Sequence, residues 1–140
     1  MEKTQPIPQG KYVPATRVGN FVFTAGMTPR KNGLLIYQGK VKADVDLEQY
    51  RNAVNQAVSN ALIASESMLR TEERIQQVLQ LNVYINAEKE FEKHSQLADF
   101  ATEYLYEALG EAGIAARMAI GIATLPGDAP VEVQMISAIN

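Results

Sequence analysis

Arg117-Met-Ala-Ile-Gly-Ile-Ala-Thr-Leu-Pro-Gly-Asp-Ala-Pro-Val-Glu-Val-Gln-Met-Ile-Ser-Ala-Ile-Asn140 is the stretch on which the fold turns. It reads as two apolar β-strands joined by the turn Leu125-Pro126-Gly127-Asp128. Apart from Asp128, its ionisable side chains are Arg117 and Glu132. Unpaired charge is costly to bury, so each needs a partner. If the two strands pair across the turn, Glu132 stands opposite Gly121, and Arg117 points to the same face. Gly121 and Arg117 are then roughly 13 Å apart along the strand, at ~3.3 Å per residue. That is long for a direct ion pair and suits a small molecule held between guanidinium and carboxylate. Gly121, with Ala119 and Ala123 on that face, leaves room for one. The same charges also fit a structural ion pair or an inter-subunit salt bridge.

Working outward, Ile75 to Asn86 alternates with period two. Ile75, Gln77, Leu79, Leu81, Val83 and Ile85 share one face of a strand; Gln76, Val78, Gln80, Asn82, Tyr84 and Asn86 share the other. Phe21 to Met27, after the turn at 18–20, is strand-like. Arg30 to Lys40 holds two glycines and Asn32 and reads as a loop or short hairpin. A long helix starts near Asp46, with Gln49 completing a capping box and Val45 stapled onto Tyr50. Its apolar face is Leu47, Tyr50, Val54, Ala57, Val58, Ala61, Leu62, Met68 and Leu69. A second helix runs from about Glu90 to Leu109, with Gly110 or Gly113 as C-cap. The order ββ-α-β-α-ββ predicts an α+β fold in one domain, residues 1–140, with two helices packed on one face of a mixed sheet.

Composition narrows the function. The chain has 140 residues, of which 46% are hydrophobic and 21% charged, with a formal charge of −3. That is ordinary for a globular domain with a real core. No basic run suggests a nucleic-acid footprint, so nucleic acid is not an expected partner. With no cysteine and a single histidine, thiolate chemistry and a multi-His metal site are not expected. The N-terminal residues lack the apolar core of a signal peptide, and no segment approaches a membrane span, so the expected location is the cytoplasm. The strand face of Gln76 through Asn86 carries no charge, nor do 21–27 and 118–126. A face open to water normally carries Lys and Glu. This one is expected to be buried in a homo-oligomer, with sheets inside and helices outside.

These residues carry a resemblance. Gly10-Lys-Tyr-Val, Val18-Gly-Asn-Phe-Val-Phe-Thr-Ala-Gly26, Asp44-Val, Val83-Tyr-Ile, Glu90-Phe91, Ala116-Arg117, Leu125-Pro and Val131-Glu132-Val133 occur in this order over nearly the whole chain. The chain resembles the Rid family of reactive-intermediate deaminases, also called the YjgF family and, in older naming, L-PSP endoribonucleases. Its start at Gln9 and its extended 30–41 loop resemble a longer subgroup. The resemblance implies a chorismate-mutase-like (YjgF-like) fold and a homotrimer with clefts between subunits. It implies that Arg117 clamps a substrate carboxylate with a forked contact and that Glu132 activates the attacking water. Tyr12 would border the cleft, and Gly26 would offer backbone close to the ligand. The substrates would be short enamines and imines of 2-keto acids, hydrolysed to the keto acid and ammonia with no cofactor.

This chain departs from the family pattern at three substrate-contacting positions. Ala25 stands where many deaminases have Ser, Ala119 where they often have Cys, and Ser95 where an Asn lies on the second helix. The pocket that results is larger and more apolar. A lone histidine such as His94, early in a helix, reads as a surface or packing residue. A non-catalytic trimer that binds a small carboxylate metabolite is the alternative. An endoribonuclease fits poorly with an acidic chain carrying one histidine.

Overall fold

The structure is a computed structural model that describes residues 4–140. Strands β1 (Ala15–Val18) and β2 (Phe21–Thr24) form a hairpin, followed by the two-residue strands β3 (Arg30–Lys31) and β4 (Leu34–Leu35). Helix α1 (Arg51–Glu66), β5 (Ile75–Asn86), α2 (His94–Leu109), β6 (Ala116–Ile122) and β7 (Val131–Ile139) complete the chain. Five strands make one sheet in the order β1-β2-β7-β5-β6, with β5 and β6 parallel and the other neighbours antiparallel. The predicted α+β architecture, two helices on one face of a mixed sheet, is the one observed.

The helices form where the apolar spacing asked for them. Asp46 caps a 3₁₀ turn, Leu47–Tyr50, by accepting from the Glu48 amide at 3.0 Å, and α1 follows from Arg51. Tyr50 is fully buried, and its hydroxyl accepts from the Lys42 amide at 2.8 Å. Helix α1 buries Val54, Ala57, Val58, Ala61 and Leu62, the stripe expected of an amphipathic helix. Its alanines let it lie close to the sheet. Helix α2 begins at His94 rather than near Glu90, because Phe91 turns back onto Glu88 (N to O, 3.0 Å) and is buried. Gly110, at φ 67°, ends it. Under the helices lie Leu81, Val83, Ile85, Val131, Val133 and Met135, all fully buried. Each large apolar side chain contributes roughly 1.5–3 kcal/mol, against ~0–1 kcal/mol for an exposed ion pair. The helix–sheet layer therefore fixes the positions of β6 and β7.

Two features differ from the expectation. First, β6 and β7 do not pair with each other. Both pair with β5, which lies between them: Leu81 faces Arg117 on one side and Met135 on the other, and Tyr84 faces Ile120 and Glu132. Asn86, at the end of β5, explains this. Its amide nitrogen donates to Asp128 Oδ1 (2.9 Å) and the Ala129 carbonyl (3.0 Å), its backbone amide donates to the Pro130 carbonyl (2.9 Å), and its Oδ1 accepts from Lys40 Nζ (2.7 Å). Lys40 also donates to the Ala123 carbonyl at 2.8 Å. The Leu125–Asp128 turn, with Gly127 and Asp128 at positive φ, thus straddles the end of β5 instead of closing a hairpin. As a result Arg117 lies on the helix-covered face and Glu132 on the opposite one. Second, β5 has register shifts between Ile75 and Gln77 and between Val78 and Gln80. They turn Val78 into the core and leave Leu79 exposed, exchanging the faces read from simple alternation. Strand β1, which local periodicity does not mark, forms because Ala15–Val18 pairs along β2.

The face without helices carries Val18, Phe21, Phe23 and Ile120 at 72%, 50%, 40% and 39% exposure. Glu132 is the one charged side chain that the five strands place there. On the other face Arg17 of β1 forks onto Glu73 at 2.6 and 2.8 Å, and donates to the Met68 and Gly19 carbonyls. Glu73 also accepts from the Arg70 amide at 2.7 Å. These bonds tie the α1–β5 connection to the first hairpin.

Candidate active site

Two groups of the predicted residues assemble, and they lie apart. The first stands at the β6 edge of the sheet. Arg117 rises from β6 onto α2, where Nη1 donates to Asp99 Oδ1 (2.8 Å) and Thr102 Oγ1 (3.0 Å), and Nη2 donates to Ser95 Oγ (2.9 Å) and the Ser95 carbonyl (3.1 Å). Ala119 follows two residues along the strand on the same side and helps line an open groove of about 460 Å³ with Ser95, His94 and Gly121. His94 caps this groove. Its Nε2 stands 2.9 Å from where a Cβ on Gly121 would sit, so glycine is what allows the ring to lie there. The ring packs edge-on against Phe91 at 5.0 Å.

The second group lies around the end of β2. Met27 bridges to Val133 through a pair of backbone hydrogen bonds (2.7 and 2.9 Å), which brings Gly26 beside Glu132. A Cβ on Gly26 would stand 2.6 Å from Glu132 Oε1. Only glycine leaves the carboxylate its present position. Among the described residues Glu132 has neither a hydrogen-bond nor an ion-pair partner, and burial pushes its carboxyl above the ordinary carboxylate range. Ala25 precedes Gly26, its backbone amide donating to the Pro14 carbonyl at 2.8 Å. Tyr12 lies on the N-terminal segment, about half exposed, its hydroxyl accepting from the Gln9 amide at 3.0 Å. Tyr12 and Gly26 both line a cavity of about 420 Å³ between that segment and α1.

Arg117 and Glu132 are therefore not brought together within one chain. They sit on opposite faces of strands separated by β5, about 10 Å apart across the sheet at ~4.8 Å per strand, with a further offset of three residues along it. The expected small molecule spanning both on a single face is not possible in one subunit. Sequence reading also passed over Asp99 and Thr102. The signal was there: Ser95, Asp99 and Thr102 recur at helical spacing and make one polar stripe on α2. Among the described residues no group of three or more His, Asp or Glu could hold a metal ion, and no helix is long and apolar enough to cross a membrane.

Comparison with known proteins agrees with this architecture. Residues 5–138 match the family model described as "YjgF/chorismate mutase-like, putative endoribonuclease". Protein Atu1372 from Agrobacterium tumefaciens is similar in structure, with a TM-score of 0.87 and 31% identity, covering 98% of this chain and 86% of that one. A "putative endoribonuclease" from Shewanella oneidensis MR-1 superposes with a TM-score of 0.86 at 27% identity, covering 96% of this chain and 89% of the other. Protein TCP17 of Trypanosoma cruzi is 26% identical over 134 residues, which is 95% of this chain and 84% of TCP17. With its fold, its residue pattern and its full-length match in agreement, the chain belongs to the YjgF/chorismate mutase-like family.

Proposed function

We propose that the protein is an enamine/imine deaminase that works as a homotrimer. Its cleft would join the Arg117–Ser95–Ala119 edge of one subunit to the Tyr12–Gly26–Glu132 region of the next. The observation that carries this reading is Glu132: a half-buried carboxylate with no partner among the described residues, on an otherwise uncharged face. Such a face is suited to burial against other copies. A carboxylate with a raised pKa is suited to take a proton from water. Water adds to the imine carbon as Glu132 accepts its proton. Glu132 passes that proton to the nitrogen, giving a carbinolamine; it then takes the hydroxyl proton and returns it to the nitrogen as the C–N bond breaks, so that a carbonyl compound and ammonia leave. The imine is already electrophilic, so the step needs no cofactor. Imines and enamines of 2-keto acids are the substrates the family resemblance suggests. Ala25 and Ala119 leave a wider, less polar lining around them.

The test is ammonia and carbonyl release from enzymatically generated short imines, alongside solution mass. Glu132→Gln is expected to reduce turnover by ~10²-fold or more, the usual weight of a general base, while the trimer persists. No acceleration with any small imine, or undiminished turnover in Glu132→Gln, overturns the reading. Tight pyruvate binding without turnover would instead support a metabolite-binding trimer. RNA cleavage lost in Glu132→Gln would support the activity named for the Shewanella protein.

A further inference from the structure

The guanidinium of Arg117 is almost fully engaged. Of five N–H donors on an arginine, the four on its terminal nitrogens face Asp99, Thr102 and the two acceptors of Ser95, all on α2. A carboxylate is gripped by two parallel N–H bonds from one edge of the fork. Here both edges include a nitrogen already committed to the helix. A second carboxylate would have to displace Ser95 or Asp99, and it would approach the Asp99 charge at a few ångströms, where like charges repel. Stability does not account for Asp99, whose side chain is 57% exposed. Exposed ion pairs contribute little to folding. The groove beside Arg117 is floored by Ala119, Ile120 and Gly121 and rimmed by Glu92, His94, Ser95 and Gln96, so its lining holds a carboxylate and no lysine or second arginine.

We infer that Asp99 is a specificity-determining residue: it neutralises Arg117 and turns the groove against a free carboxylate, favouring small imines and carbonyl compounds whose end beside Arg117 is an uncharged group such as an amide. Asp99 acts through Arg117 and is a positioning residue, not a catalytic one. Only the word imine here rests on the deaminase reading; the charge preference of the groove does not. Keto-acid imines are then weakly held substrates of the same cleft.

Two probes of equal shape separate charge from fit: pyruvate and pyruvamide, titrated calorimetrically into the intact oligomer. The wild-type protein is expected to bind pyruvamide more tightly than pyruvate. Asp99→Asn keeps an oxygen that can accept from Nη1 and removes only the charge. It is expected to tighten pyruvate by about tenfold, ~1.4 kcal/mol, leaving pyruvamide within about twofold. Asp99→Ala is the second variant and should move the ratio the same way. Wild-type preference for pyruvate, or a pyruvate-to-pyruvamide ratio unchanged in both variants, overturns the inference. If the ratio shifts but no imine is turned over by any of these proteins, the deaminase reading fails and the charge preference stands. If imines are turned over and the ratio does not shift, the reverse holds.

Discussion

Two arginines of this sheet meet carboxylates, and only one of the pairs is structural in character. Arg17 forks onto Glu73 with both terminal nitrogens and also holds the Met68 and Gly19 carbonyls, joining segments far apart in sequence. Its partner is held at a pKa of about 2 by that guanidinium and by the Arg70 amide. Arg117 reaches one oxygen of the exposed Asp99, and all its acceptors lie on a single helix. Glu132, the carboxylate of β7, has no partner among the described residues and is shifted in the opposite direction by burial. A charge satisfied across the fold serves the fold. A charge left unsatisfied at a gap between elements is available to something else.

That contrast can be broken in graded ways. The largest effect is expected from Gly26→Ala, because the new methyl would stand 2.6 Å from Glu132 Oε1 and force the carboxylate aside. Small misplacement of a reacting group can cost ~10²-fold. Steady-state kinetics should show imine turnover falling by at least about tenfold, while the melting temperature moves little. A turnover equal to wild type would mean that the position of Glu132 is not critical. Next in size is Glu73→Gln, which should lower the melting temperature at neutral pH and leave turnover unchanged. The Glu73 contribution is complete above the ordinary carboxylate value of 4.5 and is lost as pH falls through about 2. The gap between the two melting curves should therefore close in acid; a gap constant with pH would assign the loss to packing. The smallest effect has the opposite sign. With its pKa raised, Glu132 binds its proton more readily folded than unfolded, so wild-type stability declines as pH rises from 4.5 through the raised value. Glu132→Gln removes that decline and should be the more stable protein at neutral pH, by less than ~1 kcal/mol given its partial exposure. Denaturant melts across pH would show it, and a destabilised variant would reverse the assignment.

The parts of this molecule that sequence made legible are those governed by local period. The α1 stripe from Val54 to Leu62, the Asp46 cap and the uncharged sheet face all follow from residues close in the chain. The illegible parts depend on partners far away. Nothing local distinguishes a Leu-Pro-Gly-Asp hairpin from a turn that straddles another strand; that is decided by Asn86, some forty residues earlier. A hairpin there would put Arg117 and Glu132 on one face; the straddling turn puts them on two. The irregular register of β5 likewise hides in a run that alternates on paper, since Val78 and Leu79 are both plausible core residues. Asp99 stands at helical spacing from Ser95, but nothing in that spacing says that an arginine from β6 will lie across it.

The straddling turn also sets an order of events during synthesis. Strand β7 is made after the other four strands of its sheet, yet it is the central one of the five: β2 on one side and β5 on the other both pair with it. Until it emerges, the amino-terminal hairpin and the β5–β6 pair have no backbone link to each other, and the fully buried Val131, Val133 and Met135 are missing from the core. Long-range strand pairing of this kind is slow and leaves edges exposed while it waits. A ribosome-bound chain stalled before Val131 would therefore present two incomplete half-sheets, and the nine-residue β7 acts as the bolt that converts them into one.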